Sequence, residues 1–180
     1  MKNLQLSLRL NQLKFVQFFG LKADRQRRIS FFKMNNLSLT EFFKKYGKNT
    51  TNNFQLLHYA KQLKIPNFQI LMRNEIKNAN MKLPVNIITN IHTSKENGIH
   101  WSCFHIDEKN NKFWFDSYGI PPPKEIIDKF KSPITASDFK LQELGIDNFC
   151  GQISLYVLYK LNNKTDFLKT LLDIHEVIRT

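Results

Sequence analysis

The fold is decided by the stretch FCGQISLYVLYKL, residues 149–161. Apolar side chains recur in it at helical spacing and lie on most sides of the helix that they predict. Such a helix is stable only when neighbouring elements cover it, so we expect a central, buried helix. Asp147 and Asn148 stand directly before it and are good N-cap residues, which places Cys150 in the first turn.

The position of Cys150 has a chemical consequence. Backbone N–H groups without partners, together with the helix dipole, favour a negative charge in the first turn of a helix. A thiolate gains from this position, and the thiolate is the nucleophilic form of cysteine. Gly151 has no side chain, so we expect it to leave room beside the sulfur for a substrate backbone or for His100. A cysteine at the start of a buried helix is more often a small hydrophobic core residue, so Cys150 alone does not define an enzyme.

Three segments upstream of Cys150 contain the other groups that an activated thiol requires. They are His100-Trp101, Phe115-Asp116-Ser117-Tyr118 and Gln142. A thiol nucleophile requires a base, a group that orients the base, and hydrogen-bond donors for the oxyanion. His100, Asp116 and Gln142 are the candidates for these roles. Taken singly, they are typical of a strand-edge histidine, a turn residue and a surface glutamine, but no single structural interpretation explains the set.

Branched and aromatic residues predict the strands of a sheet. The predicted strands are Val85–Ile91, His100–Ile106 and Lys112–Asp116. The polar residues 107–111 join the last two as a hairpin. Because His100 begins one strand of this hairpin and Asp116 ends the other, we expect both side chains at the same edge of the sheet. A further strand over Phe139–Leu144 would bring Gln142 near them.

Helical spacing predicts several helices around the sheet. They are a short helix after the capping box Ser38-Leu39-Thr40-Glu41, and helices over Phe54–Leu63, Lys124–Phe130 and Lys164–Ile178. Together with the strands, they predict an α+β fold, in which a mostly antiparallel central sheet is flanked by helices.

Composition places the chain among intracellular globular proteins. It has 180 residues, of which 42% are hydrophobic, and this suits one domain with a substantial core. Cys103 and Cys150 do not suggest a secreted disulfide scaffold, so we expect a reducing compartment. No apolar run approaches the roughly 20 residues that a membrane span needs. The N-terminal segment is unlike a signal peptide, so we expect neither secretion nor a membrane partner.

Positive charge is concentrated at the N-terminus. The formal net charge is +12, and residues 1–36 hold eight positive side chains against one acidic one. We therefore divide the chain into a basic N-terminal extension, residues 1–36, and a domain, residues 37–180. Arg25, Arg27 and Arg28 are candidates for contacts with phosphates, which would give salt-sensitive, sequence-independent nucleic-acid binding. A solvated, partly helical extension is an equally good interpretation.

A metal site is the weaker interpretation of the histidines and cysteines. His100, Cys103 and His105 lie near one another in the sequence. A structural zinc site requires four ligands, and no fourth candidate is evident. Strand alternation also places Cys103 and His105 on the face opposite to His100. We therefore expect no metal.

The order of the four candidate residues resembles that of the adenovirus proteinase and SUMO-protease superfamily. In that superfamily a His-Trp pair opens one strand, an acidic residue ends the next within an aromatic-Asp-Ser-aromatic-Gly segment, and a Gln precedes Cys-Gly. The matching segments here are His100-Trp101, Phe115–Gly119, Gln142 and Cys150-Gly151. The resemblance extends over roughly residues 37–161, and it is strongest to the adenain-like peptidases encoded by Polinton/Maverick elements, virophages and related double-stranded DNA viruses.

Three further segments resemble those peptidases. They are Lys64–Phe68, Met72–Glu75 and Gly119–Glu125. Two features depart from the family pattern. Gln142 lies eight positions before Cys150, near the long end of the usual spacing, and Asn74 stands where the relatives more often have Asp. We assign no catalytic role to the segment around Asn74.

The resemblance implies an adenain-like, papain-type fold and a cysteine endopeptidase. Cys150 would attack the peptide carbonyl, His100 would transfer the proton and Asp116 would orient His100. Gln142 and the Cys150 backbone N–H would bind the oxyanion. The substrates would be capsid or core precursor proteins, cut at small-residue, often glycine-containing sites during virion maturation. The protein would act in the virion and in the host nucleus or cytoplasm. No cofactor is implied, although activation by DNA or by a peptide is left open.

Other functions are compatible with the same sequence. A deconjugating protease of ubiquitin-like modifiers would use the same four residues, and only the substrate distinguishes it. A non-enzymatic, basic nucleic-acid-binding module would use the N-terminal extension and would bind DNA without hydrolysis. An inactive peptidase-fold protein is the least favoured, because a degenerate relative is expected to lose at least one of the four groups. The cleavage site, the physiological substrate and the oligomeric state are not determined by the sequence.

Deletion of residues 1–36 tests the role of the basic extension. It should weaken DNA binding and flatten its salt dependence, with a loss of about 0.9 in the slope of log affinity against log salt for each phosphate contact removed. Hydrolysis of a short peptide should be largely unchanged, because the candidate catalytic residues all lie beyond residue 99. Binding titrations at several salt concentrations measure this slope. Identical slopes for the full-length and truncated proteins would show that the extension does not contact DNA.

Overall fold

The structure, a computed structural model, describes residues 36–96, 98–131, 133–142 and 148–179. Its helices are α1 (Leu39–Tyr46), α2 (Asn53–Gln62), α3 (Lys124–Phe130), α4 (Cys150–Asn162) and α5 (Phe167–Arg179), with a short 3-10 helix over Arg73–Asn78. Its strands are β1 (Phe68–Met72), β2 (Val85–Asn90), β3 (Trp101–Ile106), β4 (Lys112–Phe115) and β5 (Thr135–Ala136). The predicted α+β class is confirmed.

The strands form a mixed sheet in the order β1-β2-β3-β4-β5. Its centre is antiparallel, since β3 pairs antiparallel with both β2 and β4. The two outer pairings, β1 with β2 and β4 with β5, are parallel. The predicted hairpin is β3 and β4, and Cys103 stands opposite Phe115 in it.

Alternation along the strands divides the core between the two faces of the sheet. Ile88, Cys103 and Phe115 pack on the face that carries α1, α2, α4 and α5. Ile87, Phe104 and Trp114 pack on the other face, against Ile76 of the 3-10 helix and Ile126 of α3.

Helix α4 is the centre of the larger core, as its apolar sequence predicts. Every residue from Cys150 to Leu161 is buried. Burial of a large apolar side chain stabilises the fold by about 1.5–3 kcal/mol relative to exposure, so α4 is one of the main contributors. One of its polar residues bonds to the sheet, since the Ser154 hydroxyl donates to the Trp101 carbonyl at 3.1 Å.

The capping box predicted for α1 is confirmed. The Ser38 N–H and hydroxyl both bond to the Glu41 carboxylate at 2.8 Å, and the Glu41 N–H donates to the Ser38 hydroxyl at 3.3 Å. These contacts satisfy two donors that the start of a helix otherwise leaves without partners.

Two predictions about the segment before α4 are wrong. Residues 139–142 form no strand, because the N–H groups of Leu141 and Gln142 both donate to the Ser117 carbonyl, at 2.8 and 3.0 Å, in an irregular loop. The rest of that predicted strand lies outside the described residues. Asn148 does not cap α4 either, since Phe149 is the N-cap and no side chain bonds to the first turn.

Strand β1 was not predicted from the sequence. All five of its residues are only partly buried, and its mixed sequence FQILM lacks a clear alternation. Its pairing with β2 is parallel and depends on the 3-10 helix that connects them. Such pairing is decided by tertiary contacts and not by local preference.

A buried polar cluster lies on β3 away from the strand end that carries His100. The Asn86 side-chain oxygen accepts hydrogen bonds from His105 Nδ1 at 2.8 Å and from Asn162 Nδ2 at 2.7 Å. Burial lowers the pKa of His105 to about 4, and the nearby charge of Asp107 does not offset this effect. His105 is therefore a neutral structural residue at neutral pH.

The low pKa of His105 predicts a loss of stability in acid. The unfolded chain binds a proton at this residue near pH 6.5, whereas the folded chain does so only near pH 4. The free energy of unfolding should therefore fall as the pH drops through this window. Urea unfolding measures the free energy of unfolding at pH 7 and at pH 5. The difference between these two free energies should be smaller for His105→Gln than for the wild type. His58→Gln, on the exposed face of α2, is the matched control. Equal pH effects in the wild type and His105→Gln would contradict the prediction.

Candidate active site

The β3–β4 hairpin brings His100 and Asp116 into contact, as the sequence predicts. His100 lies directly before β3 and Asp116 directly after β4. The distance between His100 Nε2 and Asp116 Oδ2 is 2.9 Å, and both side chains are almost completely buried. This geometry fixes the orientation of the imidazole ring and leaves Nδ1 as the nitrogen that can face a reacting group.

The Asp116 carboxylate is held by several donors besides His100. Its Oδ2 also accepts a hydrogen bond from the Ser102 hydroxyl. Its Oδ1 accepts from the N–H groups of Tyr118 at 2.8 Å and Ile120 at 3.3 Å. A buried carboxylate is costly unless it is hydrogen-bonded, and these bonds make an ionised Asp116 compatible with burial.

Ser102 is a residue of this site that the sequence interpretation missed. It lies two positions after His100, so strand alternation puts both side chains on the same face. That spacing is the signal that could have identified it.

Cys150, in the first turn of α4, is close enough to His100 to act on its pKa. Burial lowers the pKa of His100, but the hydrogen bond to Asp116 and the nearby Asp116 and Cys150 groups outweigh burial and raise the pKa to about 9. His100 Nδ1 has no hydrogen-bond partner among the described residues. The Tyr118 ring stacks on the imidazole with its centroid 4.2 Å away. At neutral pH His100 is therefore an imidazolium.

The loop between α1 and α2 positions the start of α4. The Gln152 side-chain amide donates to the Asn49 carbonyl, and the Trp101 indole donates to the Thr51 carbonyl at 3.0 Å. The Lys48 ammonium lies 4.7 Å from the centroid of the Phe149 ring. The loop thus links the nucleophile helix to the strand that carries the base.

Gly151 is required for a different reason from the one predicted. A Cβ atom at this position would lie 2.2 Å from the Thr51 hydroxyl oxygen, 3.2 Å from Trp101 Cδ1 and 3.3 Å from Leu56 Cδ2. The space beside Gly151 is therefore filled by the protein itself. It does not provide access for a substrate or for His100.

Gln142 is buried, with 1% of its surface exposed, and is not the surface residue that its sequence context suggests. Neither Nε2 nor Oε1 of its side chain has a hydrogen-bond partner among the described residues. Its backbone is fixed by the bond from its N–H to the Ser117 carbonyl, next to Asp116. A buried amide without a partner is unusual in a folded protein. Gln142 is not among the residues that line the cleft at Cys150.

Cys103 differs from Cys150 in environment. It lies in the middle of β3, it is 1% exposed, and burial raises the pKa of its thiol well above the ordinary value. The nearby charge of Asp116 acts in the same direction. Cys103 is therefore expected to remain an unreactive thiol. In the described part of the chain, no three His, Cys, Asp or Glu residues are placed to hold a metal ion.

A cleft of about 920 Å³ gives access to Cys150. Trp101 and Tyr118 line it on the side of the hairpin, and Thr51 lines it on the side of the α1–α2 loop. A cleft of this size accommodates several residues of an extended peptide. Of the candidate residues, Cys150 lines the cleft, whereas His100 and Asp116 are buried behind it.

No protein-family model matches this chain, and no curated protein matches it at a significant level. Its structure is similar to a crystal structure of the selenomethionine form of the ASFV pS273R protease. The TM-score is 0.49 at 14% sequence identity, and the similarity covers 73% of this chain and 67% of that chain. At this level it does not establish a family or an activity, so the functional interpretation depends on the side chains of the site.

Two predictions about the N-terminal extension stay predictions, because residues 1–35 lie outside the described residues. They are the phosphate contacts of Arg25, Arg27 and Arg28, and the division of the chain into residues 1–36 and 37–180. Within the described ranges, no helix is both long enough and apolar enough to cross a membrane.

The contact at Gly151 predicts the effect of adding one methyl group. Gly151→Ala should lower the free energy of unfolding by about 1–3 kcal/mol, because Thr51 and Trp101 must move to admit the new atom. Denaturant unfolding measures this change. In a Thr51→Ala background the same substitution should cost less, since the closest atom is then absent. An equal cost in both backgrounds would show that the Thr51 contact is not the cause.

Proposed function

We propose that this protein is a cysteine endopeptidase with Cys150 as nucleophile, His100 as acid and base, Asp116 as the orienting carboxylate and Gln142 as an oxyanion donor. The observation that carries the proposal is the arrangement around His100. One ring nitrogen is held by a buried carboxylate at 2.9 Å, and the charge of a cysteine at the start of a buried helix acts on the ring. The other ring nitrogen, Nδ1, has no hydrogen-bond partner among the described residues. A structural histidine needs neither a charged partner nor a neighbouring cysteine.

The first half of the reaction follows from this geometry. His100 holds the proton and Cys150 is the thiolate, which attacks the carbonyl carbon of the scissile peptide bond. The negative charge moves to the carbonyl oxygen in the tetrahedral intermediate. The C–N bond then breaks as His100 gives its proton to the leaving amine, and a thioester with Cys150 remains.

The second half restores the enzyme. Neutral His100 takes a proton from water as the water oxygen attacks the thioester carbonyl carbon. The C–S bond breaks, the acid product leaves and Cys150 is again a thiolate beside imidazolium. Asp116 favours the imidazolium in both halves, because its carboxylate accepts a hydrogen bond from the Nε2–H group and the proton stays on the ring.

The oxyanion requires donors that are free before the substrate binds. The first turn of α4 has no side-chain cap, so its N–H groups, including that of Cys150, are available. The partnerless Nε2 of Gln142 is the side-chain donor of this proposal. Loss of one such donor typically reduces turnover by about 10²–10³-fold.

The substrates of this proposal are capsid or core precursor proteins, and the setting is virion maturation in the virion and the host nucleus or cytoplasm. This part rests on the resemblance of the four segments to adenain-like peptidases. Activation by DNA or by a peptide belongs to the same proposal. A deconjugating protease would share the chemistry, and it would differ in cleaving conjugates of ubiquitin-like modifiers instead of virion proteins.

Substitutions in the site should separate the roles of its residues. Cys150→Ala and His100→Ala should abolish hydrolysis of a fluorogenic peptide with glycine at the cleavage site, and Asp116→Asn should retain weak activity. Gln142→Ala should reduce turnover by about 10²–10³-fold. Cys103→Ala should retain most of the activity, because Cys103 lies outside the site. Wild-type hydrolysis by Cys150→Ala would overturn the proposal.

Alkylation provides a control that does not depend on the choice of peptide. Brief treatment with iodoacetamide near neutral pH, followed by peptide mapping, should show labelling at Cys150 and little at Cys103. His100→Ala should slow the labelling of Cys150. Equal labelling of both cysteines in the native protein would remove the evidence for an activated nucleophile.

A further inference from the structure

The cleft at Cys150 has a charge opposite to that of the whole chain. Glu75 and Glu96 line it, and no lysine or arginine is among its described lining residues. The chain as a whole has 27 lysine and arginine residues against 15 acidic residues. The described lining of the cleft is therefore acidic, although the chain has a positive net charge.

Both carboxylates are held in place by local hydrogen bonds. One oxygen of Glu75 accepts from the Met72 N–H at 2.8 Å. One oxygen of Glu96 accepts from the N–H of Thr93 at 2.8 Å and from its hydroxyl at 2.7 Å. These two bonds from Thr93 hold the pKa of Glu96 below its usual range, so Glu96 is ionised at neutral pH. The second oxygen of each carboxylate remains available for a ligand.

Arg73 and His92 offset only part of this charge. Arg73 Nε lies 3.2 Å from a carboxylate oxygen of Glu125 on α3, which is not among the described lining residues. The charges of His92 and Arg73 also act on Glu96 and lower its pKa further. Neither cation lines the cleft, whose described lining keeps two carboxylates.

The cleft also contains buried polar atoms that lack partners. Asn90 and Thr51 line it and are almost completely buried. The Nδ2 atom of Asn90 and the hydroxyl of Thr51 have no hydrogen-bond partner among the described residues. Buried polar atoms without partners are rare in folded proteins, and they are typical of a site that a polar ligand completes.

We infer that the cleft selects peptides that carry lysine or arginine within a few residues of the scissile bond, with Glu75 and Glu96 as the specificity residues. This inference rests on the proposed function, because it uses Cys150 as the point of attack. A flexible basic side chain can reach the available oxygens of the two carboxylates, while the peptide backbone provides a polar group for Asn90.

Charged thiol reagents of similar size test the inference without a known substrate. The probes are methanethiosulfonates that carry either a trimethylammonium or a sulfonate group. The Cys150 thiolate displaces methanesulfinate from the reagent sulfur and forms a mixed disulfide, so the cysteine is oxidised and the reagent is reduced. The measured quantity is the ratio of the cationic to the anionic labelling rate at Cys150.

Removal of both cleft carboxylates should lower this ratio. We expect Glu75→Gln/Glu96→Gln to reduce it by about fivefold relative to the wild type at low salt, as two charges lost within a Debye length would do. The matched control is Glu108→Gln/Glu176→Gln, which removes the same charge from exposed residues outside the cleft lining. It should leave the ratio unchanged.

Peptides extend the test to substrates. Fluorogenic peptides with lysine, norleucine or glutamate near the scissile bond should be cleaved in that order of kcat/KM. The preference for lysine over norleucine should be lost in the cleft variant. If the double variant does not fold, the single variant Glu96→Gln replaces it, because Glu96 is exposed. Glu96→Gln should lose part of the preference for lysine over norleucine.

The outcomes separate the two proposals. If the ratio of cationic to anionic labelling rates at Cys150 is the same in the wild type and in both double variants, the inferred preference for basic peptides is overturned. The peptidase proposal then remains intact. Failure of every reagent to label Cys150 in the folded protein would overturn the proposed function, and the specificity with it.

Discussion

Helix α4 can exist only when it is covered, and this constraint organises the rest of the molecule. The helix is buried along Cys150–Leu161, so the sheet packs on one side of it and α1, α2 and α5 pack on the others. The same packing leaves no room for a side chain at residue 151, where the Thr51 hydroxyl and the Trp101 ring meet the helix. The position of Cys150 is therefore set by core packing at the start of α4.

The second constraint is electrostatic, since the site buries a carboxylate and an imidazolium together. Removing two charges from water is costly, and their attraction repays this cost only when further hydrogen bonds satisfy the remaining polar atoms. Ser102 and the N–H groups of Tyr118 and Ile120 provide those bonds to Asp116. The pKa of His100 is raised from 6.5 to about 9, so its contribution to stability is full below pH 6.5 and is lost as the pH rises toward 9. His105 has the opposite dependence, because its pKa is lowered.

The sequence predicted those features that depend on local pattern. The helices with strong periodicity and the β3–β4 hairpin are present, and their ends lie within three residues of the predicted ends. The contact between His100 and Asp116 follows from the hairpin. Features that depend on tertiary context were missed. Strand β1 forms through its parallel pairing with β2. Residues 139–142 form no strand, because the N–H groups of Leu141 and Gln142 bond to the Ser117 carbonyl. Ser102 was recognised as part of the site only from its contact with Asp116. The four proposed catalytic roles are chemical assignments that the fold permits and that only reactivity can establish.

Net charge and local charge give different information about this protein. A net charge of +12 predicts attraction to polyanions at distances where individual charges are not resolved. Within a cleft, the field is dominated by groups closer than a Debye length of about 8–10 Å. The acidic residues among the described lining are Glu75 and Glu96, and the charges of His92 and Arg73 act on Glu96 from outside that lining. A positive net charge and an acidic cleft lining are therefore compatible on one chain, because the first acts over long distances and the second only on groups inside the cleft.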